Sequence, residues 1–134
     1  MHTIQVNRVG KSLFGYRYLG TFALDKVPLH FIRDAKLQHF IINTQTSNLP
    51  GQHWIAVTVC DNNKAYIFDS FGVPPPTLLI NQLKRRGIRK IYYNKRQVQN
   101  FGTLLCGQLA LQHLLHVDLS GRTRGLSAWK ASLH

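Results

Sequence analysis

Apolar positions along this chain fall into short β-type runs and two helix-type stretches, and their order predicts most of a small domain. Residues 38–44 (QHFIINT) are apolar and partly β-branched, as in a short buried strand. Residues 53–59 (HWIAVTV) form a second such run, Asp61-Asn62-Asn63 is turn chemistry, and residues 65–68 (AYIF) follow, so the three segments read as an antiparallel hairpin. After Pro74-Pro75-Pro76, which reads as a turn, residues 77–86 (TLLINQLKRR) set Leu78, Leu79 and Leu83 on one helical face, with cations in the last turn and Gly87 beyond. Residues 88–93 (IRKIYY) resemble another strand. A second helix is expected to begin near Cys106, because Gly107, Ala110, Leu111, Leu114 and Leu115 recur at helical spacing. Residues 126–133 give a weaker signal for a third helix, and the first quarter of the chain shows no clear period. The expectation is an α+β fold: a small central sheet, mixed or antiparallel, packed against helices, with Cys106 at a helix N-terminus.

Composition narrows the class. A chain of 134 residues that is 44% apolar and 16% charged is expected to fold as one domain, residues 1–134, and does not resemble a disordered tail. No apolar run is long enough to span a bilayer and no secretory leader is evident, so a soluble intracellular protein with no membrane contact is expected. Two cysteines, Cys60 and Cys106, are too few for a disulfide framework and are treated as thiols. Seventeen Lys and Arg oppose five acidic residues, all Asp, for a net charge of +12. That charge favours polyanions by counterion release and specifies no fold.

Catalysis by a cysteine requires a thiolate, a histidine within reach and a group that orients the histidine. Cys106 has the setting for the first, since unpaired amides and the macrodipole at a helix N-terminus stabilise a thiolate. The same pattern also suits a buried core thiol. His53 opens one strand of the hairpin and Asp69 closes the other, so with the turn near Asn62 both lie at its open end, where the carboxylate can hold the imidazole tautomer. Trp54 is placed either against the histidine or in the core. His113 and His116 are spaced i and i+3 on the expected helix, but a zinc site would need two more ligands, and no metal site is expected.

Taken together, these blocks resemble the adenovirus proteinase (adenain-like) family of cysteine peptidases, related to the SUMO and NEDD8 proteases. The resemblance runs through Leu19-Gly20-Thr21-Phe22 and Ile41-Ile42-Asn43-Thr44 to Gly51-Gln52-His53-Trp54-Ile55-Ala56. It continues in Tyr66-Ile67-Phe68-Asp69-Ser70-Phe71-Gly72 and in Gln99 ahead of Cys106-Gly107. It implies Cys106 as nucleophile, His53 as general base and acid, Asp69 as orienting acid and Gln99 as oxyanion donor. Asp69 stands where adenovirus enzymes carry Glu, as in the SUMO-protease branch. The implied function is an endopeptidase that cleaves viral or virus-derived-element precursor proteins during virion maturation, in a host nucleus or virion if the chain is viral.

The chemistry implied requires no cofactor, but adenain relatives use DNA as an activating cofactor, and DNA or an activating peptide is a possible partner here. Lys84, Arg85, Arg86, Arg89, Lys90, Lys95 and Arg96, interleaved with Tyr92 and Tyr93, form the densest cationic stretch and the expected DNA or polyanion surface. A monomer is expected. Other functions left open are a deconjugating protease for a ubiquitin-like protein, a non-enzymatic nucleic-acid-binding module and an acyltransferase, for which no acyl-CoA site is evident.

Overall fold

Two strands buried along their whole length organise the rest of the chain. The computed structural model describes residues 3–28, 30–44, 53–94, 106–120 and 130–131. The elements are α1 (Thr3–Phe14), a 3₁₀ turn (Gly15–Arg17), β1 (Tyr18–Ala23), β2 (Leu37–Asn43), β3 (Trp54–Cys60), β4 (Lys64–Phe68), α2 (Thr77–Arg85), β5 (Lys90–Tyr93), α3 (Cys106–Ser120) and β6 (Lys130–Ala131). The strands form one mixed sheet in chain order, with β1–β2 and β4–β5 parallel and the remaining pairs antiparallel. Every residue of β2 and β3 is buried. Alternation along these strands sends Phe40, Ile42, Ile55, Val57 and Val59 to the face covered by Leu79, Ile80 and Leu83 of α2. Ile41, Trp54 and Ala56 face α1 and α3 on the other side. Helices on both faces explain why the two strands read as continuous apolar runs.

The expected hairpin forms, and its turn shows why Asp-Asn-Asn suits it. Asp61 and Asn62 take φ of 52° and 59°, and the Asn63 N–H donates to the Cys60 carbonyl at 3.3 Å. Positive φ at both central residues is the primed geometry that matches the twist of paired strands, and Asp and Asn tolerate it better than most side chains.

Helix α2 also forms where expected, with a corrected buried face. Leu79 and Leu83 are buried with Ile80 and Gln82, whereas Leu78 is exposed. The helix ends at Gly87, whose φ of +94° allows its N–H to reach the Lys84 carbonyl while the Ile88 N–H reaches that of Leu83. This is a Schellman closure, sealed by burial of Leu83 and Ile88 in one cluster. It also delays β5. Ile88 serves the helix end and Arg89 donates to the Asn63 carbonyl, so the strand expected from residue 88 starts at Lys90.

Two regions depart from the sequence reading. The first quarter carries α1 and β1. Val6, Gly10 and Phe14 form the buried face of α1, while Ile4, Val9 and Leu13 are exposed and blur the period. In place of the helix expected over 126–133, Lys130–Ala131 is extended and pairs antiparallel with Tyr93 and Tyr92. Pairing there satisfies main-chain groups along β5 that a helix would leave open. The other residues of that stretch lie outside the described set. Among the described residues, no helix is long and apolar enough to cross a membrane.

Candidate active site

The open end of the hairpin holds His53 and Asp69. His53 immediately precedes β3, and its carbonyl accepts the Thr44 N–H at 3.0 Å, which carries the β2–β3 ladder one step further. Asp69 immediately follows β4. His53 Nε2 lies 2.7 Å from Asp69 Oδ1, with both residues buried. A carboxylate accepts, so Nε2 carries the proton shared with Asp69, and Nδ1 is the ring nitrogen turned away from the carboxylate.

Further interactions, unanticipated from sequence, fix this pair. Asp69 Oδ1 also accepts the Phe71 N–H at 2.8 Å, and the Phe71 ring stacks on the His53 ring at 4.3 Å and 11°. Asn94, the first residue after β5, grips the Asp69 main chain from both sides. Its Oδ1 accepts the Asp69 N–H at 2.9 Å and its Nδ2 donates to the Asp69 carbonyl at 2.7 Å. Phe71 lies within the aromatic-acid-x-Phe-Gly block, which is the signal that could have found it. Asn94 has no local signal, because the parallel β4–β5 pairing brings it there. Trp54 lies in the core with Ala56 and Leu111. Asn43, across the ladder from Trp54, is buried, and its Oδ1 has no hydrogen-bond partner among the described residues.

The direction of α3 follows from its packing. Ala110, Leu111 and Leu114 share a cluster with Trp54 and Ala56 at the start of β3, whereas Val117 clusters with Leu37, Cys60 and Tyr66 toward its end. The N-terminus of α3, where Cys106 is the first helical residue, therefore points to the end of the sheet that carries His53 and Asp69. The Cys106 thiol and the whole of Gln99 lie outside the described residues. Cys60 is a free thiol, buried, with its Sγ 3.5 Å from Asp61 Oδ2. Burial, reinforced by the Asp61 carboxylate, pushes its pKa up, the opposite of what a nucleophile needs.

A second His and Asp pair performs different work. His39 is fully buried, with Nδ1 2.9 Å from Thr58 Oγ1 and Nε2 2.9 Å from Asp118 Oδ1. Arg17 holds both oxygens of Asp118 in a bidentate pair. The Arg17 guanidinium holds the Asp118 carboxyl below its ordinary range, and burial keeps His39 below the usual imidazole value despite the carboxylate beside it. The group ties α3 to β2, β3 and the 3₁₀ turn.

The remaining candidate residues are placed as follows. His113 stacks on Phe68 at 4.3 Å and 6°, and burial pushes its pKa down to about 3. Among the described residues, no group of three metal-ligating side chains lies together. Lys84, Arg85, Arg89 and Lys90 are exposed. Arg86 is turned inward instead: its Nε, Nη1 and Nη2 donate to the carbonyls of Pro28, Gln82 and Val27. Lys95 and Arg96 lie outside the described residues.

A mixed sheet packed between helices is the fold that this chain shares with adenain-like cysteine peptidases. The chain belongs to the adenovirus endoprotease family, whose sequence pattern matches residues 18–101, a span that includes His53, Asp69 and Gln99 and stops short of Cys106. Among solved structures, the fold is similar to that of the ASFV pS273R protease, with a TM-score of 0.60 at 13% identity over 89% of this chain. The selenomethionine form of that protease gives 0.56 at 16% identity. This chain spans 57% and 58% of those two chains. A search of curated proteins finds no match.

Proposed function

We propose that this chain is a cysteine endopeptidase of viral type, with Cys106 as nucleophile, His53 as base and acid, Asp69 as orienting acid and Gln99 as oxyanion donor. The observation that carries the reading is the buried 2.7 Å His53–Asp69 hydrogen bond at the end of the sheet where the Cys106 helix begins. With Nε2 donated to Asp69, Nδ1 takes the Cys106 proton and later returns it to the leaving amine, while water releases the acyl group from sulfur. The amides at the start of α3 stabilise the thiolate, and with Gln99 Nε2 they offer donors to the oxyanion, each worth roughly 3–4 kcal/mol in other hydrolases. The substrates in this reading are precursor proteins of a virus or a virus-derived element, cut near small residues such as Gly. DNA or another polyanion acts as an accessory at the exposed cations.

The deciding experiment is labelling with a peptide vinyl sulfone followed by mass mapping. Modification is expected at Cys106, with Cys60 untouched. Cys106→Ala and His53→Ala are each expected to remove turnover while the far-UV circular dichroism is retained. Labelling of Cys60 alone overturns the assignment. Turnover of a ubiquitin-like conjugate in place of precursor peptides moves the function to deconjugation.

A further inference from the structure

We propose that the cleft between residues 30–33 and the β3–β4 turn is a binding pocket for a phosphate group, a site separate from the peptidase centre. The cleft has a volume of about 260 Å³ and is lined by His30, Phe31, Arg33, Asn62 and Arg86. The cleft is open to solvent, so a phosphate seated there has room to be carried on a larger group, as in a polyphosphate or a nucleotide unit.

The walls are set in advance. Gln38, fully buried on β2, accepts the Ile32 N–H at 2.7 Å and donates to the Ile32 carbonyl at 3.0 Å and to Asn62 Oδ1 at 2.8 Å. Asn62 Nδ2 in turn donates to the Arg33 carbonyl at 2.8 Å. One core side chain thus holds both the loop and the turn. Arg86 is anchored through three of its five N–H groups, which leaves two for a ligand. A guanidinium held this way loses little entropy on binding, and its planar fork suits two phosphate oxygens. Arg33 is exposed and forms no ion pair among the described residues, although Asp34 and Asp61 line the neighbouring cleft that shares it. Phe31 is stacked on Phe40 at 6.3 Å and 18° and supplies an apolar floor.

The site lies at the turn end of the hairpin, opposite His53 and Asp69, so ligand binding does not depend on the catalytic reading. The test is a calorimetric titration of the whole chain with sodium tripolyphosphate at constant ionic strength. One saturable site is expected. Arg33→Gln and His30→Gln, both at exposed side chains, are each expected to weaken it by about tenfold, as for removal of one charge-assisted hydrogen bond. Arg8→Gln, at an exposed cation on α1 outside the cleft, is expected to change it less than twofold. A 5′-phosphorylated oligonucleotide that displaces tripolyphosphate when its unphosphorylated twin does not would make a terminal phosphate the natural ligand. Displacement by both supports a backbone phosphate, and displacement by neither supports a free polyphosphate. Equal weakening by all three substitutions, or no saturable binding, overturns the pocket and leaves only diffuse attraction to a cationic surface.

Discussion

Asn94 shows how the geometry at His53 depends on a residue that acts through the Asp69 main chain. By clamping the Asp69 N–H and carbonyl, it fixes where the carboxylate points, and the carboxylate fixes the imidazole. Asn94→Ala leaves both main-chain groups of a buried residue without their partner, at about 1–3 kcal/mol each. The expected outcome is a lower Tm together with a kcat loss that resembles that of Asp69→Asn, with KM little changed. A KM effect alone would detach Asn94 from the orienting role. His53 and Asp69 were legible in the sequence because hairpin geometry is local. Asn94 was not, because only the β4–β5 register brings it near. The same limit applies to His39 and Asp118, 79 positions apart, which only the packing of α3 on the sheet brings together.

Buried neutral imidazoles also set the response to acid. His113 and His39 both have pKa values below the ordinary 6.5, His113 to about 3, mainly because burial disfavours the charged ring. The unfolded chain therefore takes up protons first as pH falls below about 6.5, and the folded state loses stability from there down, by at most about 1.4 kcal/mol per pH unit per group. Asp118, held low by Arg17, adds a further loss below about pH 4. Urea unfolding at pH 7 and pH 5 measures the slope. His113→Phe is expected to flatten it, and a slope unchanged by that substitution would mean that His113 is charged in the folded state.

At the scale of elements, α1 packs on β1 through a glycine whose absence of a side chain is required. A Cβ at Gly10 would lie 2.4 Å from the Tyr18 ring. That ring is fully buried, with its hydroxyl 2.6 Å from Thr21 Oγ1, so it has little freedom to retreat. Gly10→Ala gains roughly 1 kcal/mol of helix propensity and loses about 1–3 kcal/mol to overpacking. Net destabilisation is expected, read as a lower midpoint in urea with the m-value retained. The helices and strands that sequence resolved were those in which most apolar residues face the core, Leu78 of α2 and Leu119 of α3 being exposed. In α1 the exposed Ile4, Val9 and Leu13 broke the pattern, and β6 is only two residues held by partners on β5.

Over the whole molecule, the hairpin separates two chemistries. β3 has seven residues, about 23 Å of extended chain, between the His53 end and the turn, where the Arg89 and Lys90 N–H groups meet the Asn63 carbonyl. A polyanion held at Arg85, Arg89 and Lys90 would therefore act by concentrating substrate, without touching the reacting atoms. In a salt series of DNA anisotropy, removing these three cations is expected to reduce the log–log slope by about 0.9 for each phosphate no longer neutralised. Arg86→Gln is expected to lower Tm as well, because its guanidinium holds the carbonyls of Val27, Pro28 and Gln82. An unaltered slope in the triple variant would place the DNA elsewhere.

The Arg17–Asp118 pair joins residues 101 positions apart, across a sheet whose described strands pair with their neighbours in sequence. Closing so long a loop is entropically expensive and little rewarded until the sheet between them exists. The pair is therefore expected among the late interactions of folding, formed after the rate-limiting barrier. An interaction made late slows unfolding and leaves the folding rate nearly unchanged. The consequence is a clasp on the native state: Asp118→Asn shortens its lifetime far more than it delays its formation.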